Sequence, residues 1–183
     1  EPIIRCNDAA STYGREAMHF VNGDMNVYAI TRNFARSLDE KEQRFTFPTE
    51  GFLYDLREGK YLGKTNQISC AIPNAGTKVF GHYPYQVKGM KMDVPPKVRG
   101  GKDLVATIKV KTSAGKAGHH VFHIEVLPPE GEARWFMKRN VAAPKGRVTF
   151  TFRMAENDPK GKWTLRVTDI MTGTTGIKSI HVY

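Results

Sequence analysis

Cysteine is nearly absent from this chain of 183 residues, which holds only Cys6 and Cys70. With no close neighbour, neither thiol belongs to a zinc knuckle or a C-x-x-C redox pair. A Cys6–Cys70 disulfide and two separate buried thiols both stay open; the bridge would contribute on the order of 4 kcal/mol by loop entropy. Long apolar runs are missing too. No stretch approaches the roughly 18 apolar residues of a membrane-spanning helix, so no membrane span is expected. Helix signals are scarce as well. The one candidate, Asn33–Arg44, with Ser37 as a possible N-cap ahead of Asp39, Glu40 and Lys41, is too short and polar to bury a face, and reads as a loop or single turn. The chain opens on Glu1-Pro2-Ile3 without an initiator Met or a basic-then-apolar leader, which reads as a mature product or a piece of something longer.

What is present is positive charge, unevenly placed. There are 28 Lys and Arg against 18 Asp and Glu, a net charge of +10. Glu1–Lys88 carries 11 basic and 10 acidic residues, net +1, whereas Gly89–Tyr183 carries 17 and 8, net +9. Such asymmetry is the footprint of a polyanionic partner. The plainer reading is that Lys and Arg fill water-facing strand positions and discourage edge-to-edge aggregation, because the basic residues are scattered singly and form no block.

Strand signals recur throughout. In the first half Met25, Val27 and Ala29 alternate with Asn26, Tyr28 and Ile30. Phe45 and Phe47 share a face before Pro48, and Phe52, Tyr54 and Leu56 share another before Arg57-Glu58-Gly59-Lys60. Ile68, Cys70 and Ile72 precede a Pro73–Gly76 turn, and Val79-Phe80 closes the half. The second half is more regular. Leu104, Ala106, Ile108 and Val110 share one face, as do His120, Phe122, Ile124 and Val126; then Val148, Phe150, Phe152 and Met154; then Trp163, Leu165 and Val167. A period of two marks strands with one buried and one wetted face. Adding Val87–Met92, Arg134–Arg139 and Ile177–Tyr183 gives about seven strands in roughly 100 residues, the immunoglobulin-like expectation without its Cys…Trp…Cys framework. The expected fold is all-β: two β-sandwich units over residues 1–86 and 87–183, the second immunoglobulin-like with about seven strands.

The motifs point away from chemistry. His119, His120 and His123 crowd together, but on a strand His119 and His123 stand about 13 Å apart on one face, too far for a single ion, and His120 faces the other way. No metal site and no cofactor are expected. Neither a nucleophile elbow, a P-loop nor a zincin helix occurs, and Asp24, Asp55, Glu58 and Asp169 all sit beside turns, where a short carboxylate bonds the following amides. No catalytic residue is expected, and no nucleic-acid signature interleaves aromatic and basic residues. Trp163, in phase with Leu165 and Val167, belongs to the core. Trp135 lies in Arg134-Trp-Phe-Met-Lys-Arg139, where Arg134, Lys138 and Arg139 surround an aromatic ring, a composition suited to an anionic glycan. Trp135 and Phe136 alternate, so one of them should face inward.

Two stretches carry a resemblance. Gly51-Phe-Leu-Tyr-Asp-Leu-Arg-Glu-Gly-Lys-Tyr-Leu-Gly63 resembles the "vYDvRtGkyLG" hairpin of accessory β-sandwich regions in large secreted bacterial proteins, including β-galactosidase-like glycoside hydrolases. Gly161-Lys-Trp-Thr-Leu-Arg-Val-Thr-Asp-Ile-Met-Thr-Gly173 resembles the "GxWxLxVxDxxTG" closing strands of immunoglobulin-like modules at the ends of such proteins. The resemblance implies a non-catalytic structural or interaction module from the C-terminal end of an extracytoplasmic bacterial protein. Its partner would be an upstream domain of the same polypeptide, which holds any catalytic residues. The alternative is a carbohydrate-binding module for acidic glycans at Arg134, Trp135, Lys138 and Arg139, with an anionic polysaccharide as partner.

Overall fold

Alternating side chains fix nearly every element. The computed structural model of the chain describes residues 4–7, 14–33 and 41–183, and their regular structure is strand with one short 3-10 turn. The chain divides into two compact units, Glu1–Tyr85 and Gln86–Tyr183. Residues 34–40 of the Asn33–Arg44 candidate lie outside the described residues, and a strand starts at Gln43.

The first unit contains β1 (Arg5–Cys6), β2 (Arg15–Asn22), β3 (Met25–Arg32), β4 (Gln43–Asp55), β5 (Lys60–Cys70) and β6 (Thr77–Tyr83). They form one sheet in the order β1-β4-β6-β3-β2, with β5 also paired to β4. The alternation around Pro48 suggests two strands; the structure keeps one, with its pairing to β5 shifted between Thr46 and Gly51. Proline has no amide hydrogen to donate, so it interrupts the ladder while the strand continues through a bend. Just before Pro48, Phe47 lies against Tyr28 of β3, ring centroids 4.8 Å apart, and edge-on to Phe80 of β6 at 5.8 Å. Tyr28, Ile30, Phe45, Phe47, Leu53, Ile72 and Phe80 make the core. Burying one such side chain contributes about 1.5–3 kcal/mol. The described strands of this unit belong to one hydrogen-bonded sheet, in which the long β4 pairs with β1, β5 and β6.

Both cysteines are thiols and half-buried. They flank β4 on opposite sides, Cys6 beside Phe45 and Cys70 beside Gln43. Two strand spacings, about 9.5 Å, exceed the reach of roughly 7 Å that a disulfide allows between Cα atoms.

The second unit contains β7 (Val87–Asp93), β8 (Lys97–Val98), β9 (Asp103–Thr112), β10 (His120–Leu127), β11 (Lys138–Ala143), β12 (Arg147–Arg153), β13 (Gly161–Asp169) and β14 (Thr175–Val182). One sheet runs β11-β10-β13-β14-β8 and the other β12-β9-β7. The strand beyond the expected seven is β8, two residues following Pro95-Pro96 that pair in parallel with β14. Leu104, Ala106, Ile108, Phe122, Ile124, Val126, Trp163, Leu165 and Val167 have no solvent exposure. At Gly176 of β14 an added Cβ would stand 2.7 Å from Met92 Sδ of β7, so the two sheets approach closely at that point. The strand expected over Arg134–Arg139 begins instead at Lys138, opposite Glu125; Trp135–Met137 form the 3-10 turn.

Candidate functional site

The turn between β10 and β11 carries the candidate glycan residues. Arg134 is extended, and its carbonyl accepts the Met137 amide at 2.9 Å, closing one tight turn. A three-residue turn does not keep the strand period, so Met137 points inward while both rings point out: Trp135 is 85% exposed and Phe136 43%. The expectation that one ring faces inward is thereby overturned. The two rings meet at right angles, centroids 5.8 Å apart. Arg134 and Trp135 therefore sit side by side on an exposed turn. Lys138 and Arg139, successive residues of β11, point to opposite faces. Lys138 lies on the outer face with its Nζ 3.6 Å from Glu125, and the Arg139 guanidinium covers the Phe150 ring at 5.4 Å.

On that outer face Glu125 collects two cationic side chains and an imidazole. Arg166 donates from Nε to Oε2 at 2.6 Å; Lys138 Nζ and His123 Nε2 stand 3.6 and 3.9 Å from Oε1. His123 is held in turn by its Nδ1 against Asn140 Oδ1 at 2.7 Å. The hydrogen bond from Arg166 holds the Glu125 carboxyl below its usual pKa, and Glu125 raises that of Arg166. A carboxylate kept ionised, with both oxygens facing cations, is poorly placed to donate or accept a proton.

The remaining conspicuous polar groups hold turns. His120 and Asp169 are fully buried, Nδ1 to Oδ2 at 2.9 Å. Asp169 Oδ2 also accepts the Thr172 hydroxyl at 2.6 Å, and Oδ1 accepts the Met171 amide at 3.3 Å, so one carboxylate closes the β13–β14 turn and ties it to β10. Asp55 Oδ1 accepts the Arg57 and Glu58 amides at 3.0 Å each, and its other oxygen pairs with Lys78 at 3.3 Å. The sequence identifies both aspartates as turn residues. It does not reveal the His120 or Lys78 partners, which lie far along the chain. Among the described residues no group of His, Cys, Asp and Glu stands where three could hold a metal ion, and no helix is long and apolar enough to cross a membrane.

No protein-family model matches the chain, and no curated protein matches it. Among solved structures, β-glucosidase from Listeria innocua is similar over 67% of this chain and 18% of its own, at 15% identity and a TM-score of 0.38. Trypsin-activated α2-macroglobulin from Escherichia coli is similar over 86% of this chain and 15% of its own, at 14% identity and a TM-score of 0.42. A CARDB domain from Pyrococcus furiosus, in complex with di-metal ions, is similar over 54% of this chain and 89% of its own, at 14% identity and a TM-score of 0.36. This chain thus spans less than a fifth of the β-glucosidase and the macroglobulin.

Proposed function

We propose that the chain is a non-catalytic structural and interaction module of a larger extracytoplasmic bacterial protein of the glycoside-hydrolase-associated kind. In this reading the second unit is an immunoglobulin-like β-sandwich, its five-stranded and three-stranded sheets enclosing one core, and the first is a related body closed by the bend of β4. The observation that carries the reading is β2. It ends the order of its sheet among the described residues and leaves Met18, Phe20 and Val21 exposed at 39%, 56% and 68%. An edge strand with apolar side chains in water invites a partner, and the partner of this reading is an upstream domain of the same polypeptide.

In the full-length polypeptide, Met18→Ser with Phe20→Ser is expected to uncouple the unfolding of this region from that of the upstream domain by scanning calorimetry. Coupling left unchanged overturns the docking. The purified chain is expected to turn over no chromogenic glycoside, ester or peptide; turnover abolished by Glu125→Gln would overturn the non-catalytic part.

A second reading, a carbohydrate-binding module for acidic glycans at Arg134, Trp135, Lys138 and Arg139, is favoured by the 85% exposure of Trp135, which offers a ring face to a sugar. Affinity electrophoresis in gels containing an acidic polysaccharide tests it. Trp135→Ala should reduce the retardation, and retardation unchanged by that substitution removes the site.

A further inference from the structure

The outer face of the β12-β9-β7 sheet carries a row of like charges. Register places Lys91 of β7 directly across from Lys109 of β9, and Lys109 directly across from Arg147 of β12. Neighbouring strands lie about 4.8 Å apart, so three cationic side chains leave the sheet along one line about 10 Å long. Lys111 follows Lys109 on the same face of β9, opposite Gly89. Among the described residues no carboxylate lies within ion-pair distance of Lys91, Lys109 or Arg147. Elsewhere on this unit acid faces base: Arg153 pairs with Asp103 at 3.1 Å, and Arg166 with Glu125 at 2.6 Å. Like charges directly opposite one another destabilise a sheet, so this row is a place where local stability is given up, which is the mark of a functional surface.

The row lines a hollow of about 290 Å³ together with Asp93 and Thr107. The Thr107 hydroxyl lies 3.1 Å from that of Thr149 in the next row. Cations for oxyanions, and hydroxyls with one carboxylate for neutral hydroxyl groups, match a sugar polymer bearing sulfate or carboxylate. The outward positions of the three strands hold no aromatic ring, so a single-stranded nucleic acid finds no stacking platform here.

We propose that this face binds an acidic polysaccharide, its sulfate or carboxylate groups seated on Lys91, Lys109 and Arg147. The proposal shares the ligand class of the glycan reading above and none of its residues, so the two fail separately. The test uses the whole chain with heparin as the sulfated probe and polygalacturonate as the carboxylated one. The triple variant Lys91→Gln, Lys109→Gln, Arg147→Gln is expected to bind at least one of them about tenfold more weakly and to flatten the dependence of log Kd on log salt concentration. The control triple Lys60→Gln, Lys160→Gln, Lys162→Gln removes the same charge and is expected to change binding little. Without ligand, relieving the repulsion should raise the thermal midpoint of the Lys91, Lys109, Arg147 variant. Trp135→Ala should leave binding at this face intact. Equal weakening in the control triple, a lowered midpoint, or tighter binding of duplex DNA or phosphatidylglycerol vesicles than of either polysaccharide overturns the proposal. So does the absence of binding by the unmodified chain.

Discussion

Asp169 shows how much one side chain holds when it is buried. Its carboxylate meets His120 Nδ1, the Thr172 hydroxyl and the Met171 amide, with no solvent exposure of its own. Deleting this carboxylate removes hydrogen bonds to three groups at once, and each buried polar group left unsatisfied costs about 1–3 kcal/mol. Asp169→Ala should therefore lower the unfolding free energy by at least about that much in urea titrations, and a loss below about 1 kcal/mol would mean that the β13–β14 turn holds without the carboxylate. Glu125 makes a pH prediction. Its folded pKa lies below the ordinary 4.5 because Arg166 donates to it. A depressed carboxylate contributes stability that is full above the unfolded pKa and is lost as pH falls through the folded value. The thermal midpoint should thus lose this contribution as pH drops below 4.5. In Arg166→Met the largest cause of the depression is removed, so the gap between parent and variant should narrow on acidification. A gap constant from neutral pH to pH ~3 would show that the pair contributes nothing through titration.

Among the elements, β4 is organised by its bend, and Gly51 just beyond it admits no side chain. An added Cβ would stand 2.8 Å from the Tyr83 carbonyl oxygen and 2.9 Å from His82 Nε2, the atom that meets the Thr65 carbonyl at 2.9 Å. Backbone does not yield as a flexible side-chain tip does, so Gly51→Ala should cost about 1–3 kcal/mol. A midpoint within error of the parent would mean that β6 shifts freely. This explains the glycine that opens the Gly51–Gly63 stretch, which the sequence offers only as a resemblance. Strict alternation makes β9, β10, β12 and β13 legible, because each buries one face against a core. The same rule misreads Arg134–Met137, since a 3-10 turn presents two successive rings outward and periodicity alone does not distinguish it from a strand start. It also divides β4 at Pro48, where the lost amide interrupts the ladder without ending the strand. The candidate site is less legible still. Trp135 and its basic neighbours stand out in sequence, but Lys138 and Arg139 part to opposite faces. The row Lys91, Lys109, Arg147 is invisible until register sets residues far apart in the chain side by side.

Over the whole molecule, charge follows the division into units. Glu1–Tyr85 holds 10 basic and 10 acidic residues, net 0, and Gln86–Tyr183 holds 18 and 8, net +10. Self-repulsion opposes compactness in a body of large net charge, so the second unit bears an electrostatic penalty that the first does not. Salt screens it: the Debye length falls from about 30 Å at 0.01 M to about 3 Å at 1 M. Both tryptophans, exposed Trp135 and buried Trp163, lie in the second unit, so tryptophan emission reports that unit alone, whereas far-UV circular dichroism reports both. Raising sodium chloride from about 10 mM to about 500 mM should therefore lift the transition seen by tryptophan emission. The rest of the dichroism change should stay nearly still. Chloride serves better than sulfate, which strengthens apolar burial generally and would raise both transitions. The attractive pairs of Glu125 and Asp103 are screened as well, yet with 18 cations against 8 anions repulsive pairs outnumber attractive ones. A tryptophan transition that falls with salt, or both transitions rising together, would show that net charge does not set the stability of this unit.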